Sequence, residues 1–150
     1  PIMFLLLTAN MYAKFMEVAG MSELIRETFV TYQLGNVGII VVMIVIWLIM
    51  GMILDSISII LITVPIFAPL TEGFFDPIAF GIFGILVIEA GLLTPPFGLL
   101  LYVMKGIAPF DVSLGDVVKS AAPFIIIELA VLVLLVAAPE VATWLPSKVN

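Results

Sequence analysis

Of 150 residues, 64% are hydrophobic and only 11% are charged, against roughly 25% charged in soluble domains, so the chain reads as an integral membrane protein. The net charge of -6 argues against a nucleic-acid partner, which requires a basic surface. With no Cys and no His, disulfides, thiolate zinc sites, histidine-ligated haem and Ser-His or Cys-His catalysis are excluded; any metal must use oxygen ligands, and no enzyme activity or organic cofactor is expected.

The chain opens on Pro1 and enters an apolar run at once, 2–15, with Asn10 inside it and Lys14 and Glu17 closing it. No basic signal-peptide region precedes the run, so a piece of a longer protein is expected. In 22–33, Glu23, Arg26 and Glu27 recur at helical spacing among Leu24, Ile25, Phe29 and Val30, as in an amphipathic helix at the membrane surface or the wet end of a long first helix. Residues 37–54 carry no polar side chain and make about 27 Å of helix, close to the hydrocarbon thickness. Asp55, Ser56 and Ser58 interrupt, and the apolar run resumes over 59–70 with Thr63, Pro65 and Pro69 inside. "TEGFFDP", 71–77, is a turn. The next helix, 78–88, runs into "EAGLLTPPFG" (89–98) and resumes at 99–104. A loop over 105–120 holds Asp111, Asp116 and two of the five Lys and Arg, Lys105 and Lys119, which places it in the cytoplasm. The last span, 121–138, is followed by a tail to residue 150 in which Trp144 suits an interface. The alternation of a membrane β-barrel is absent, leaving an all-α membrane fold.

Two stretches place polar and helix-breaking residues inside buried apolar sequence: 51–69 and 89–98. Pro95 and Pro96 cannot donate backbone hydrogen bonds, so they open the helix and free carbonyls near Gly91 to Leu93. Freed carbonyls in a membrane survive only where protein buries them or a watery cavity solvates them, and there they can ligate a cation. Thr94, Ser56, Ser58 and Thr63 add hydroxyls, and Asp55 and Glu89 add carboxylates. Ser58 and Thr63 rank below Ser56 and Thr94, because such hydroxyls usually bond back to their own turn. The helix starts near Ser56 and Phe97 offer positive dipole ends to an anion. The plain alternative is that the prolines are packing kinks. Ionisable residues inside a membrane are usually functional, which favours Asp55 and Glu89; Glu128, alone in "PFIIIELAVLV", is open between a structural pair, a protonated acid and a relay. Trp47 and Trp144 are read as packing or interface anchors.

The runs "GMILDSISIILITVPIFAPL" and "FDPIAFGIFGILVIEAGLLTPPFGLLLYVMKGIA", with the later "PFIIIELAVLVLLVAAPEVATWLP", resemble the C-terminal part of the large membrane subunit (DctM-like) of the tripartite ATP-independent periplasmic (TRAP) transporters. The most specific pieces are G-x-x-x-D at Gly51 to Asp55, T-x-P-I-x-x-P at Thr63 to Pro69 and G-x-x-T-P-P-x-G at Gly91 to Gly98.

The resemblance implies a sodium-driven importer of small carboxylates in a bacterial inner membrane, partnered by a small membrane subunit and an extracytoplasmic solute-binding protein. It implies an elevator-type, ion-transporter-superfamily half: a scaffold helix and arm over 1–34, a re-entrant helical hairpin over 35–70 and a broken helix over 78–104. The sodium site would draw on Gly51, Asp55, Ser56, Gly91, Leu92 and Thr94, with Ser56, Thr94, Pro95, Pro96 and Gly98 near the substrate; Glu89 is open between ordering the break from one turn away and facing another helix. Two positions depart from the family's habit: Val87 and Leu100 stand where Asn is common. The chain is also far shorter than such subunits, so one half-site and no transport by this chain alone are expected. On periodicity alone 37–54 could instead cross the membrane fully. Of the rival classes, an assembly subunit would need the breaks only for packing, an intramembrane aspartyl protease would need a second buried Asp, and a channel would want a ring of like residues.

Overall fold

A computed structural model describes residues 2–109, 111–144 and 148, and every regular element among them is a helix. In order they are α1 (Ile2–Val18), α2 (Met21–Thr31), α3 (Asn36–Gly51), α4 (Ser56–Thr71), α5 (Pro77–Leu93), α6 (Leu99–Ile107), α7 (Leu114–Ala137) and α8 (Glu140–Thr143). Of the expected tail, residues 145–147, 149 and 150 lie outside the described residues.

The starts of the central helices follow from short polar side chains at their caps. Asp55 opens α4 by accepting from the Ser58 amide. Asp76 opens α5 by accepting from the amides of Ile78 and Ala79, with Pro77 in the first turn, where its missing N–H costs nothing. Ser113 and Asp116 form a reciprocal capping box at the start of α7.

That capping box corrects the expected 105–120 loop. Helix α6 runs on to Ile107, the connection shrinks to 108–113, and α7 begins at Leu114, seven residues before the expected span at 121. Lys119 and Asp116 therefore belong to the first turns of a 24-residue helix. Its outer face is apolar and bare, with Phe124, Ile126 and Val133 each about two-thirds exposed, as a hydrocarbon solvent demands. It is the one helix among the described residues long and apolar enough to cross a membrane by length; α3, α4 and α5 are apolar but shorter.

Helix α5 is the hub, packing on α3, α4, α6 and α7, while α1 and α2 lie against α4. Apolar residues all round α3 and α5 suit helices enclosed by protein and lipid. The core gathers on Trp47, which is fully buried, with ring centroids of Phe67, Phe80 and Phe83 at 5.4, 5.8 and 5.7 Å. Gly84 makes room for it: a Cβ there would meet the indole at 3.1 Å. The indole N–H donates to Thr63 Oγ1 at 2.7 Å, and that hydroxyl donates to the Ile59 carbonyl at 2.7 Å. Every polar atom of this buried chain is thus satisfied, and α3 is tied to α4.

Replacing Thr63 by Val keeps the shape and removes the acceptor, orphaning a buried indole N–H. The loss expected is about 1–2 kcal/mol, read as a lower midpoint in denaturant titration of the detergent-solubilised protein.

Candidate functional site

Helices α3 and α5 meet backbone to backbone at two glycines. A Cβ on Gly51 would lie 2.8 Å from Gly91 Cα and 2.9 Å from the Ile88 carbonyl oxygen; one on Gly91 would lie 2.9 Å from Gly51 Cα and 3.0 Å from the Leu48 carbonyl oxygen. No side chain fits between them. The contact sits on the last residue of α3 and on the final turn of α5, so it brings the turn at 52–55 beside the break at 94–98. Two expected site residues, Gly51 and Gly91, are thereby placed at the crossing.

In the turn, both carboxylate oxygens of Asp55 are engaged by one residue: Oδ2 accepts from the Ser58 amide at 2.9 Å and Oδ1 from the Ser58 hydroxyl at 2.7 Å. Ser58 does not bond back to its own turn, as expected from sequence, but completes this cap. The spacing D-x-x-S could have revealed it. Ser56 begins α4 half-buried, and its hydroxyl has no hydrogen-bond partner among the described residues. The start of α4 therefore carries a carboxylate already, which offsets its positive dipole end and makes it a poor seat for an anion.

The break has the opposite character. Pro95 and Pro96 have no N–H for the carbonyls of Gly91 and Leu92; Gly91 receives the Thr94 amide instead, at 3.0 Å, and no backbone donor among the described residues reaches Leu92. The Pro95-Pro96 bond is cis. Thr94 Oγ1 donates to the Ala90 carbonyl at 2.6 Å, which spends its one proton and leaves its lone pairs for a cation. A Cβ on Gly98 would lie 3.0 Å from both the Leu92 and the Thr94 carbonyl oxygens and 2.8 Å from Leu101 Cδ1, so a methyl group would crowd both oxygens and the leucine. Gly98 also precedes α6 without a side-chain cap, and the amides of Leu99 and Leu100 have no acceptor among the described residues, an arrangement suited to an anion.

Between turn and break opens a cleft of about 440 Å³ lined by Met52, Ile53, Phe97, Leu99 and Tyr102. The turn, the break and the cleft thus form one region. Glu89 is not in the break: it lies half-buried on α5, a helix that packs against α7. Thr63 belongs to the Trp47 core. Of the two departures, Val87 is fully buried and Leu100 starts α6 half-buried. Among the described residues no three acidic side chains gather; the oxygens on offer here are those of the backbone, the hydroxyls and the Asp55 carboxylate.

The family description "Tripartite ATP-independent periplasmic transporter, DctM component" matches residues 1–141. The chain belongs to this family. It is 29% identical over 97% of its length to the C4-dicarboxylate TRAP transporter large permease protein DctM of Vibrio cholerae, covering 32% of that protein. It is 30% identical over 93% to the 2,3-diketo-L-gulonate TRAP transporter large permease protein YiaN of Escherichia coli, again 32% of the relative. It is 30% identical over 96% to the ectoine TRAP transporter large permease protein TeaC of Halomonas elongata, 34% of the relative. The chain thus spans about a third of the length of these relatives. No solved structure matches it significantly. As a member of a transporter permease family, it is a membrane protein.

Substituting Ala at Gly51 or at Gly91 pushes the helices apart and is expected to cost about 1–3 kcal/mol each. Because one displacement relieves both, the double variant should cost less than the sum. Gly81→Ala, with nothing within 4 Å of the new methyl, should be neutral or stabilising by up to about 1 kcal/mol. Denaturant midpoints of the four variants check this; additive Gly51 and Gly91 effects would contradict the contact.

Proposed function

We propose that this chain is the C-terminal part of a TRAP transporter large permease subunit in the bacterial inner membrane, and that it supplies one half-site for sodium-coupled import of small carboxylates. The observation that carries the reading is the Gly51–Gly91 contact, which seats a polar helical turn against a proline-broken helix. Interrupted segments of this kind mark the binding sites of secondary transporters.

Helices α3 and α4 have 16 residues each, about 24 Å, short of the roughly 30 Å hydrocarbon core. This supports a re-entrant hairpin with its turn at membrane depth over two full crossings. Sodium would be held by the Leu92 and Thr94 carbonyls and Thr94 Oγ1, with Ser56 and Asp55 completing the set from the turn. Gly51 and Gly91 would act by bringing turn and break together. Sodium supplies the coupling charge; the chain supplies the Leu92 carbonyl, whose hydrogen-bond donor Pro96 has removed, and the Thr94 carbonyl, which accepts one bond from Gly98 and keeps a second lone pair. A substrate carboxylate would sit at the open N-terminus of α6, beside Pro95, Pro96 and Gly98, where two free amides and the bound cation both attract it.

The relatives' names cite a C4-dicarboxylate, 2,3-diketo-L-gulonate and ectoine. Their skeletons differ, but each compound carries a carboxylate, and this supports the carboxylate as the shared recognition element. The hairpin and broken helix would travel together as an elevator-type unit against a scaffold built on 1–34. A small membrane subunit and an extracytoplasmic solute-binding protein would complete the system.

The test is sodium-gradient-driven uptake by the complete permease with its partners in proteoliposomes. Replacing Pro95 and Pro96 together by Ala restores the missing N–H groups and closes the helix; sodium-driven uptake should fall about tenfold or more, a barrier or affinity change above 1.4 kcal/mol. Uptake indifferent to sodium, or unchanged in the double variant, would leave the break as a packing kink in an assembly subunit.

A further inference from the structure

The break at 94–98 has few bonds of its own. Of its five residues two are prolines, and its internal backbone bonding reduces to Thr94 donating back to Gly91 and Gly98 donating to Thr94 at 3.1 Å. The apex, 95–97, is reached by a single hydrogen bond among the described residues: the Tyr102 hydroxyl donates to the Pro96 carbonyl at 3.3 Å. The same residue's amide donates to the Gly98 carbonyl at 3.4 Å. Tyr102 therefore grips the break twice, once at the apex and once at its exit into α6. Its ring is about half exposed and lines the cleft with Met52 and Ile53 from the turn, so little packing depends on the hydroxyl.

We infer that Tyr102 is a positioning residue for the cation site: its hydroxyl holds the Pro96 apex so that the Leu92 and Thr94 carbonyls keep their places beside Gly98. This rests on the functional reading above. The physical need is plain. A carbonyl pair ligates a small cation well only when its spacing is held; the Gly98 amide holds the Thr94 carbonyl, but Pro96 has no N–H to hold that of Leu92. Helix α6 supplies the missing restraint from one turn beyond the break. Tyr102 touches neither cation nor substrate in this role; it acts through Pro96.

The test is a sodium titration, NaCl against choline chloride at constant ionic strength, of the thermal stability of the complete permease in detergent, comparing wild type with Tyr102→Phe. The phenylalanine ring keeps the packing and removes one hydroxyl. Half-saturation is expected at about 3- to 10-fold more sodium, the weight of one neutral hydrogen bond, while the sodium-free melting temperature stays at the wild-type value. In proteoliposomes the same variant should show a raised half-saturating sodium concentration with an unchanged maximal uptake rate. Identical titrations would overturn the assignment. So would a lowered sodium-free melting temperature with unshifted half-saturation, which would make the hydroxyl a general stabiliser. If sodium does not stabilise the wild type at all, the sodium-coupled reading itself falls, and this assignment with it.

Discussion

The close approach of Gly51 and Gly91 is the constraint on which the rest of the site depends. Two helices ordinarily stand 8–10 Å apart because side chains separate them; with glycine on both sides the backbones touch. In an apolar solvent such contact is also a source of association, since burial of apolar surface gains little when lipid is as apolar as leucine. Everything polar in the region is tethered to that crossing. Asp55 and Ser56 follow Gly51 within five residues, and Thr94 follows Gly91 by three. Turn and break are thus placed by one contact and need no long side chain to bring them together.

One turn away along α3 the same helices are held differently. Trp47 lies one turn before Gly51, wedged among Phe67, Phe80 and Phe83 and bonded to Thr63. Its burial fixes the rotation of α3 against α4 and α5, and so determines which face of α3 carries Gly51 toward Gly91. A large ring and a missing side chain therefore work as a pair: the ring sets orientation, the glycines set distance. The turn and the break inherit their placement from an aromatic core that contains none of their polar groups.

Much of this was legible in the sequence, and the rest was hidden for identifiable reasons. The breaks announced themselves because Pro95, Pro96 and Asp55 are costly in apolar surroundings. The start of α7 was missed because Ser113 and Asp116 resemble loop residues until they are read as S-x-x-D, a capping box. Ser58 was underrated by the general habit of hydroxyls to bond back to their own turn; the nearby carboxylate outcompeted that carbonyl. Gly51 and Gly91 were read as part of a sodium site because sequence marks a glycine without saying what approaches it. Glu89 stayed open between ordering the break and facing another helix because chain position alone does not say which way the last turns of α5 point; it lies half-buried on a helix that packs against α7.

The two helix starts in the region differ in a way that orders charge. Helix α4 begins with a carboxylate, and α6 begins with a glycine that caps nothing. The first end presents negative oxygen and a free serine hydroxyl; the second presents bare amides at the positive end of a dipole. Turn and break bound one cleft, so its two walls differ in electrostatic character: the helix on one side brings its own counter-charge, and its neighbour brings none.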